Sequence, residues 1–556
     1  MLRLAVIPIA LILLLAGAMV WSGGGTQQRA DFSYIDRGEV STLDPNRMSW
    51  TQDIRVGYAL WEGLYTLDPV TLDAIPGCAF PIDISADKTV YTFHIRPEAR
   101  WSNGKPVVAS NFIFAWRRML EEPGDYTYLL HYIKGAKEFE DAFAADEPGK
   151  PADFSKVEAI EVNPQTLRVT LLHPVAFFPD ICAFPPCFPL NRESMQEYLD
   201  VPTVKKSGAI HENYKKTFTR AGALVTNGAY MLKDWQFRRR MRFEANPYYW
   251  DRANVKSKVI DKISSDDLSW SYEMFASGGV DWITDLSGDT ASELFARHDP
   301  DLHVFPAFGT YFYSFNCNEK LNDGKPNPFF DVRVRQAFTL AVNKQTIVDI
   351  TRLGELPSDN YIPLGAFTGY PAPHGLSMDV ARAQRLLAAA GYPGGKGFPQ
   401  TSLLFNNEAN HAQIAQSVRN QWLENLGIDV RLEGMEIKVY RDKLHTKDYA
   451  VGRASWFGDY NDPSTFTDKY KKDSGNNDSN WLNDKYQSLC EKADVEPDAM
   501  KRLAIFAQAE KVLLDEAPIL PLFTYVNAYV FRDRQVKGLP LNIRSMEMYK
   551  SIQVVR

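Results

Sequence analysis

The sequence predicts a mixed α/β protein, and three local patterns indicate that class. Apolar side chains recur every three to four residues between residues 54 and 65, as on the buried face of a helix. Val90–Ile95 alternates instead, with Tyr91, Phe93 and Ile95 on one side, as in a half-buried strand. Between residues 402 and 456, stretches typical of strands and of helices follow one another in turn.

The first half of the chain favours antiparallel pairing. Ile160 and Val162 precede a turn at residues 163–165, and an alternating apolar stretch follows at residues 167–171. Residues 230–232 and 241–243 form a second pair of short apolar stretches of this kind. We therefore expect two β-hairpins in this part of the protein.

The second half predicts a βαβαβ unit. Its segments are a strand at 402–405, a helix at 410–426 ending before Gly427, a strand at 428–433, a helix at 436–446 and a strand at 449–456. Parallel strands carry binding loops at their carboxyl ends, so the loop 457–463 is a candidate site. Further on, residues 500–514 predict a helix and residues 519–531 predict two strands.

Composition excludes several classes of protein. The chain has 556 residues, 45% of them hydrophobic and 24% charged, which is typical of a packed globular protein and not of a disordered or fibrous one. At roughly 150 residues per domain this length predicts three to four domains or one large lobed body. The net charge of −7 argues against nucleic acid as a partner.

The first 30 residues predict an export signal or an N-terminal anchor. Leu4–Trp21 is an apolar run that follows Arg3, and Ala16-Gly17-Ala18 offers a small-residue cleavage pattern. The run is also long enough to stay in the membrane, so cleavage and retention both remain open. No later segment is comparably apolar, and the body is expected to be soluble and outside the cytoplasmic membrane.

Several motifs, in order along the chain, carry a family resemblance. They are NGAYMLKDW at 227–235, DVRVRQA at 331–337, GDYNDP at 458–463, YTFHIRPEARWSNGKP at 91–106, AAGY at 389–392, NDKY at 483–486 and PLFTYVN at 521–527. From about residue 31 to its end, the chain resembles the periplasmic oligopeptide-binding proteins of ABC importers, extracellular solute-binding protein family 5.

The resemblance implies a two-lobed fold of the type II periplasmic-binding-protein kind, in its large three-domain class, with lobes joined by a hinge. By analogy, the core of lobe 1 is 31–66, 220–306 and 530–556, the inserted domain of lobe 1 is 67–219, and lobe 2 is 307–529. It also implies a monomeric periplasmic receptor that encloses short peptides and delivers them to a membrane permease. No cofactor, metal or nucleic acid is expected.

The same resemblance assigns the charged groups that hold the ends of a peptide. Asp459 is expected to accept the α-ammonium, while Arg453, His411 and Arg352 are expected to meet the terminal carboxylate in different registers. Local sequence alone leaves other interpretations open. Asp459 could be a turn residue, Arg453 or Arg352 could form an ordinary ion pair, and His411 could be a solvent residue at a helix start.

The backbone of a peptide is expected to add to a strand edge. By resemblance this edge is Ser455, Trp456 and Phe457, with Glu39, Val40 and Ser41 as the facing segment of the first lobe. Trp456 is expected to face the ligand.

Three departures from the enterobacterial members limit the analogy. Where those proteins have a disulfide between two strands of the second lobe, this chain has Gly309 and Phe457. A pocket tryptophan falls on Ile437, and a nearby arginine falls on Leu444. Side-chain pockets are therefore remodelled, and a preference for peptide length or sequence does not transfer.

The five cysteines are too sparse for a disulfide scaffold. Cys182 and Cys187 flank a Pro-Pro turn in an exported protein, and a local bridge between them is a possibility that the sequence leaves open. Cys78, Cys317 and Cys490 are expected to be reduced, with Cys317 buried in a strand.

An enzyme is disfavoured because neither G-x-S-x-G nor H-E-x-x-H occurs, and His211-Glu212 lacks the second histidine. The alternatives to a peptide importer are a binding protein of the same fold for nickel, haem or sugar, a peptide sensor or chaperone with no transporter, and an exported hydrolase. Asp459 with Arg453 favours a zwitterionic peptide.

Overall fold

The computed structural model describes residues 29–407, 410–472 and 474–556. The export signal or anchor predicted for residues 1–30 falls on residues 1–28 and so lies outside the described residues. Within the described ranges, no helix combines the length and apolar character needed to cross a bilayer.

The strands of the described chain are β1 (Phe32–Asp36), β2 (Tyr65–Leu67), β3 (Ala74–Pro76), β4 (Ala79–Ile84), β5 (Val90–Ile95), β6 (Ala159–Asn163), β7 (Thr166–Thr170), β8 (Thr203–Val204), β9 (Ile210–His211), β10 (Tyr230–Gln236), β11 (Arg240–Ala245), β12 (Val259–Ser264), β13 (Trp282–Ile283), β14 (Leu302–Phe315), β15 (Leu356–Pro357), β16 (Thr401–Asn406), β17 (Val430–Met435), β18 (Val451–Phe457), β19 (Ile519–Phe531), β20 (Val536–Lys537) and β21 (Gln553–Val554).

The α-helices are α1 (Thr51–Leu60), α2 (Ala109–Glu121), α3 (Ala136–Ala145), α4 (Phe178–Cys182), α5 (Arg192–Met195), α6 (Leu268–Ala276), α7 (Gly288–Ala296), α8 (Val332–Leu340), α9 (Lys344–Thr351), α10 (Val380–Ala389), α11 (His411–Leu426), α12 (Ile437–His445), α13 (Ser464–Thr467), α14 (Asp484–Val495) and α15 (Ala499–Glu516). Short 3₁₀ turns, including Thr127–Tyr132 and Pro185–Cys187, connect several of them.

One large mixed sheet organises the molecule. Its strands follow the order β10-β11-β12-β1-β13-β19-β14-β18-β16-β17, and β15 pairs with β19 beside this path. Strand β1 is parallel to β12 and β13, and β16 is parallel to β17 and β18. The sheet thus contains two parallel groups, β12-β1-β13 and β18-β16-β17, while β10 and β11 are antiparallel at one end. We call β1 and β10–β13 the first half of the sheet and β16–β18 the second half.

Strands β14 and β19 connect the two halves. They pair antiparallel from Leu302 opposite Val530 to Ser314 opposite Ile519, and the pairing is interrupted between Pro306 and Thr310. Strand β19 also pairs with β13, whereas β14 pairs with β18. Each long strand therefore passes from one half of the sheet to the other.

Each half has its own apolar core. In the first half, one cluster of buried side chains extends from Phe32 to Ile552 and takes in side chains of the four-stranded antiparallel sheet β4-β5-β7-β6. In the second half, one cluster surrounds Phe338 and Trp422, and another surrounds Phe466. Separate cores leave room for a cavity between the halves.

The predicted secondary structure is largely confirmed. The strand at Val90–Ile95 has the predicted ends, and the pairings of β6 with β7 and of β10 with β11 form the two expected hairpins. The βαβαβ unit is β16-α11-β17-α12-β18, and Gly427 ends α11 with a φ of 72°. That left-handed backbone is readily adopted by glycine.

Two predictions about where strands and helices end were wrong. Residues 519–531 form one continuous strand instead of two, because Pro521 lies at a register shift in the pairing with β14 and does not end the strand. The first predicted helix ends at Leu60, and Tyr65 belongs to β2. The backbone leaves the helix at Trp61, which is extended with a φ of −126° and a ψ of 162°. At Gly63 a Cβ would lie 2.1 Å from the Cys182 carbonyl oxygen, so only glycine fits there.

Candidate binding site

A cavity of about 710 Å³ lies between the two halves of the sheet. The first half contributes the end of β1, the start of α1 and segments near residues 285 and 545, while the second half contributes α12 and the end of β18. Among its lining residues are Asp36, Arg37, Gly38, Trp50, Arg55, Tyr126, Asp266, Asp285, Arg441, Ser455, Phe457, Asp459, Arg544 and Ser545.

Asp459 lies in the loop directly after β18, at the carboxyl end of a strand that is parallel to β16. Its Oδ1 accepts a hydrogen bond from Tyr126 Oη at 2.9 Å, and its Oδ2 accepts one from Tyr128 Oη at 3.3 Å. Its backbone is fixed as well, since its N–H donates to Thr465 Oγ1 and its C=O accepts from Arg544 Nη2. The carboxylate is therefore held in place at the cavity wall.

Burial raises the pKa of Asp459 to about 6, while the hydrogen bonds from Tyr126 and Tyr128 and the charge of Arg544 lower it by less. Among the described residues, no cationic side chain lies within 4 Å of this carboxylate. A desolvated carboxylate held only by neutral donors is suited to a ligand cation.

Arg453 on β18 is the opposite case, a buried cation that lacks a carboxylate partner among the described residues. Its Nη2 donates to Tyr525 Oη at 2.8 Å, and its guanidinium lies 4.8 Å from the centre of the Tyr311 ring. Its Nε is buried without a hydrogen-bond partner in the described chain, and no described carboxylate lies within 4 Å. Arg453 thus has no counter-ion among the described residues, but neither it nor His411 is among the residues that line the cavity.

His411, the first residue of α11, lies beside Arg453. Its Nδ1 is 3.2 Å from Tyr311 Oη, and its ring centre is 5.5 Å from that of Tyr311. Burial, and secondarily the charge of Arg453, lowers the pKa of His411 to about 3. The imidazole is therefore neutral near pH 7, and it can act as a hydrogen-bond partner and not as a charge.

The edge of β18 between these two groups is open. Gly458 N–H donates to the Phe308 carbonyl across β14, and antiparallel alternation directs the backbone groups of Ser455 and Phe457 away from β14. Strand β16 pairs only with Val451 and Gly452. No strand of the described ranges covers the backbone of Ser455 or Phe457 on that side.

Phe457 lies at one of the two positions where the resemblance implies a disulfide in the enterobacterial members. Gly309 is directly opposite Phe457, and a Cβ on Gly309 would lie 2.5 Å from the Phe457 ring. The ring also stacks on Tyr525 with centroids 4.9 Å apart. Phe457 therefore stands between the cavity and the tyrosines around Arg453.

Trp456 does not face the cavity, contrary to the expectation. Ser455 and Phe457 line it, and strand alternation directs Trp456 to the other face of the sheet. There its Nε1 donates to the Thr465 carbonyl at 2.7 Å, and Lys469 Nζ lies 4.9 Å from the ring.

Arg352 is not brought to the cavity either. It lies just after α9, where its Nη1 pairs with Asp289 at 2.8 Å, and both side chains are largely exposed to solvent. The structure thus matches the alternative interpretation of Arg352, an ordinary surface ion pair.

Glu39, Val40 and Ser41 lie beside the cavity but do not line it with their side chains. Glu39 accepts hydrogen bonds from Trp235 Nε1 and the Arg238 backbone, Val40 is buried, and Ser41 donates to Asp53. The first half instead lines the cavity with the preceding segment, residues 36–38.

The bridge considered for Cys182 and Cys187 is absent, and all five cysteines are free thiols. Cys182 ends α4 and Cys187 ends the turn Pro185–Cys187, so the Pro-Pro segment forms a helical turn. Both thiols are buried among apolar side chains. Cys317 follows β14 and is only partly buried, so its predicted place in a strand was wrong.

Sequence reasoning missed Tyr126, Tyr128 and Arg544. These residues reach Asp459 from more than 80 positions away, and no local motif connects them to it. The excess of tyrosine and phenylalanine in the composition is the only sequence signal that bears on this aromatic site.

The loop after β18 is joined to the first half by further contacts. Tyr460 stacks on Phe177 with centroids 4.3 Å apart, and Arg544 Nη1 pairs with Asp180 at 3.0 Å. Asp180 also accepts a hydrogen bond from the backbone N–H of Asn461. The two halves therefore meet around the cavity.

No group of three or more His, Cys, Asp or Glu side chains suited to a metal ion occurs in the part of the chain that the structure describes.

Comparisons with solved structures confirm the fold. An oligopeptide-binding protein of Borrelia burgdorferi superposes with a TM-score of 0.77 at 26% identity, covering 95% of this chain and all of that one. The structure of Listeria monocytogenes OppA bound to peptide superposes with a TM-score of 0.74 at 27% identity, covering 94% of this chain and 99% of that one. The predicted α/β, type II periplasmic-binding-protein-like fold is therefore correct.

Comparisons of sequence agree. Oligopeptide-binding protein OppA of Bacillus subtilis is 33% identical over 476 residues, covering 83% of this chain and 82% of that protein. Periplasmic oligopeptide-binding protein OppA of Escherichia coli is 31% identical over 504 residues, covering 88% of this chain and 86% of that protein. The sequence profile named "Bacterial extracellular solute-binding proteins, family 5 Middle" matches residues 73–478. The chain belongs to the family 5 bacterial extracellular solute-binding proteins.

Proposed function

We propose that this protein is the substrate-binding component of a peptide ABC importer. The observation that carries the proposal is the arrangement along β18. Among the described residues, no cation lies within 4 Å of the Asp459 carboxylate, no carboxylate lies within 4 Å of the Arg453 guanidinium, and no strand covers the edge between them. A peptide offers an ammonium, a carboxylate and a backbone to match all three.

In this proposal each end of the ligand meets the group of opposite charge. The α-ammonium binds Asp459 beside the hydroxyls of Tyr126 and Tyr128. The terminal carboxylate meets Arg453, whose planar guanidinium suits bidentate contact, and neutral His411 stands next to it. Ser455 and Phe457 supply main-chain hydrogen bonds that ignore the side chains of the ligand.

The names of the relatives support the same ligand class. The Bacillus subtilis and Escherichia coli relatives are named as oligopeptide-binding proteins, and the Listeria monocytogenes structure is a peptide complex. We extend this to periplasmic residence, delivery to a membrane permease, action as a monomer, and the absence of enzymatic activity and of a cofactor.

We also propose a division into two lobes. The core of lobe 1 is 31–66, 220–306 and 530–556, its inserted domain is 67–219, and lobe 2 is 307–529. In support, β14 and β19 pass between the halves near residues 306 and 529, and the β14–β19 pairing is interrupted just after Pro306. A break in pairing at such a crossing is a place where a hinge can bend.

Calorimetry of the purified protein with unblocked di- to pentapeptides of varied sequence tests the function. Saturable binding of several unrelated peptides is the expected result. Absence of heat with every free peptide, together with saturable binding of nickel, haem or an oligosaccharide, would contradict it.

A further inference from the structure

Three carboxylates meet at one edge of the cavity for a topological reason. Asp36 is the last residue of β1, Asp266 lies two residues beyond β12, and Asp285 lies two residues beyond β13. The three strands are parallel neighbours in the order β12-β1-β13, so their carboxyl ends lie side by side. All three aspartates line the cavity between the halves.

Asp36 has an unfilled acceptor. Only 1% of the residue is exposed, and its Oδ1 accepts hydrogen bonds from Arg55 Nη1 at 2.5 Å and Thr284 Oγ1 at 3.3 Å. Its Oδ2 accepts no hydrogen bond from the described residues, although Lys262 Nζ lies 3.6 Å away. A buried carboxylate oxygen in this state favours an additional donor.

Asp285 lacks a cationic partner. Its carboxylate accepts a hydrogen bond from Thr284 Oγ1 at 2.6 Å, and no described Lys, Arg or His approaches within 4 Å. Burial raises the pKa of Asp285, and the charges of Arg55 and Arg37 lower it by less. A cation from the ligand would relieve the cost of this burial.

Two carboxylates at this wall have no ion-pair partner among the described residues. Arg55 and Lys262 offset Asp36 and its neighbour Glu547, with which Arg55 also pairs. Asp266 and Asp285 form no ion pair with any described residue, although exposed Arg37 also lines the cavity. Of the other cavity arginines, Arg544 is paired with Asp180, and Arg441 lies over the ring of Trp50, which precedes α1.

We infer that this wall is an acidic subsite that holds a basic side chain, lysine or arginine, of the bound peptide. The inference rests on the proposed function and narrows its substrate class. The charged end of such a side chain donates to Asp285 and Asp36, while its aliphatic stem lies along the cavity.

The test is a position scan with alanine-based tri-, tetra- and pentapeptides that carry either lysine or norleucine at one position. Norleucine keeps the stem and removes the charge. Wild type is expected to prefer lysine by about 10-fold at one position at low salt, and the ratio should fall as salt is added. In the double variant Asp266→Asn/Asp285→Asn the ratio is expected to approach 1.

The matched control is Asp73→Asn, an exposed aspartate remote from the cavity, which should keep the wild-type ratio. Asp285→Asn alone removes the charge of a residue that the proposed contact uses and serves as a second variant if the double variant does not fold; its ratio is also expected to fall toward 1. Peptides that bind with lysine-to-norleucine ratios near 1 throughout, or a ratio that persists in the variants, would overturn the subsite and leave the proposed function intact. No binding of any peptide would overturn both.

Discussion

Gly309 and Phe457 face each other across β14 and β18, and the Phe457 ring covers the glycine so closely that it occupies the space of a side chain there. At the same positions the resemblance implies a disulfide in the enterobacterial oligopeptide-binding proteins. Here a ring over a glycine fills the gap, and the same ring lines the cavity and stacks on Tyr525.

Gly309→Ala is therefore expected to destabilise the protein by about 1–3 kcal/mol, because the added methyl group meets the Phe457 ring and forces it to move. Urea unfolding measures the change. In Gly309→Ala/Phe457→Ala the methyl group has room, so the two substitutions should be strongly non-additive. Additive losses of unfolding free energy would show that the Phe457 ring does not limit the space at position 309.

Asp459→Ala should leave folding intact and weaken the binding of free peptides by about 3–5 kcal/mol, the typical penalty for a buried charge that loses its partner. Calorimetry gives the affinities. N-acetylated peptides should bind wild type poorly and the variant with little further loss, so a double cycle should show strong coupling. A variant that binds free peptides as well as wild type would place the ammonium elsewhere.

Arg453→Ala is expected to weaken peptides with a free carboxylate by about 2–4 kcal/mol and amidated peptides far less, since only the former leave a carboxylate uncompensated. His411→Ala tests the neighbouring group and should affect both kinds of peptide more evenly, because its imidazole is neutral. Equal losses for free and amidated peptides in Arg453→Ala would make Arg453 structural.

Peptide affinity should fall at low pH through Asp459. Its carboxylate, with a pKa of about 6 in the unliganded protein, must be ionised to hold an ammonium, so affinity at pH 5 should be about 10-fold weaker than at pH 7. His411 does not titrate in this range. Calorimetry at the two pH values measures the effect, which should be absent in Asp459→Asn.

The same raised pKa has the opposite effect on the unliganded fold. Because the folded state binds the Asp459 proton more tightly than the unfolded state, this group contributes stability that is present at pH 4 and is lost as the pH rises through 6. Thermal unfolding of wild type and Asp459→Asn across this range checks the sign. If the stability of wild type relative to Asp459→Asn instead increased as the pH rises through 6, the predicted sign would be wrong.

All five cysteines should titrate as thiols when the protein is denatured without a reductant. In the native protein, Cys78, Cys182, Cys187 and Cys490 should react slowly, because they are buried, and burial raises the pKa of each thiol. Ellman titration of the denatured protein and of the native protein counts the reactive thiols in each state. Three thiols in the denatured protein would indicate a bridge.

The sequence by itself determined the elements whose signals are local. The alternation of Val90–Ile95, the two hairpins and the unit from β16 to β18 follow from side-chain period and turn residues, and they appear where predicted. The βαβαβ pattern alone placed Asp459 in a loop at the carboxyl end of a parallel strand. Family motifs then added Arg453 and His411, which the structure brings together around Tyr311.

Tertiary structure decided what depends on distant contacts. Alternation predicts that Ser455 and Trp456 face opposite sides, but only packing shows that Ser455 faces the cavity and Trp456 the core. Arg352 is drawn to Asp289 on the surface, and residues 519–531 run unbroken because β14 pairs along their length. Asp36, Asp266 and Asp285 are up to 249 positions apart in the chain and meet only through the order of three parallel strands, which no local pattern encodes.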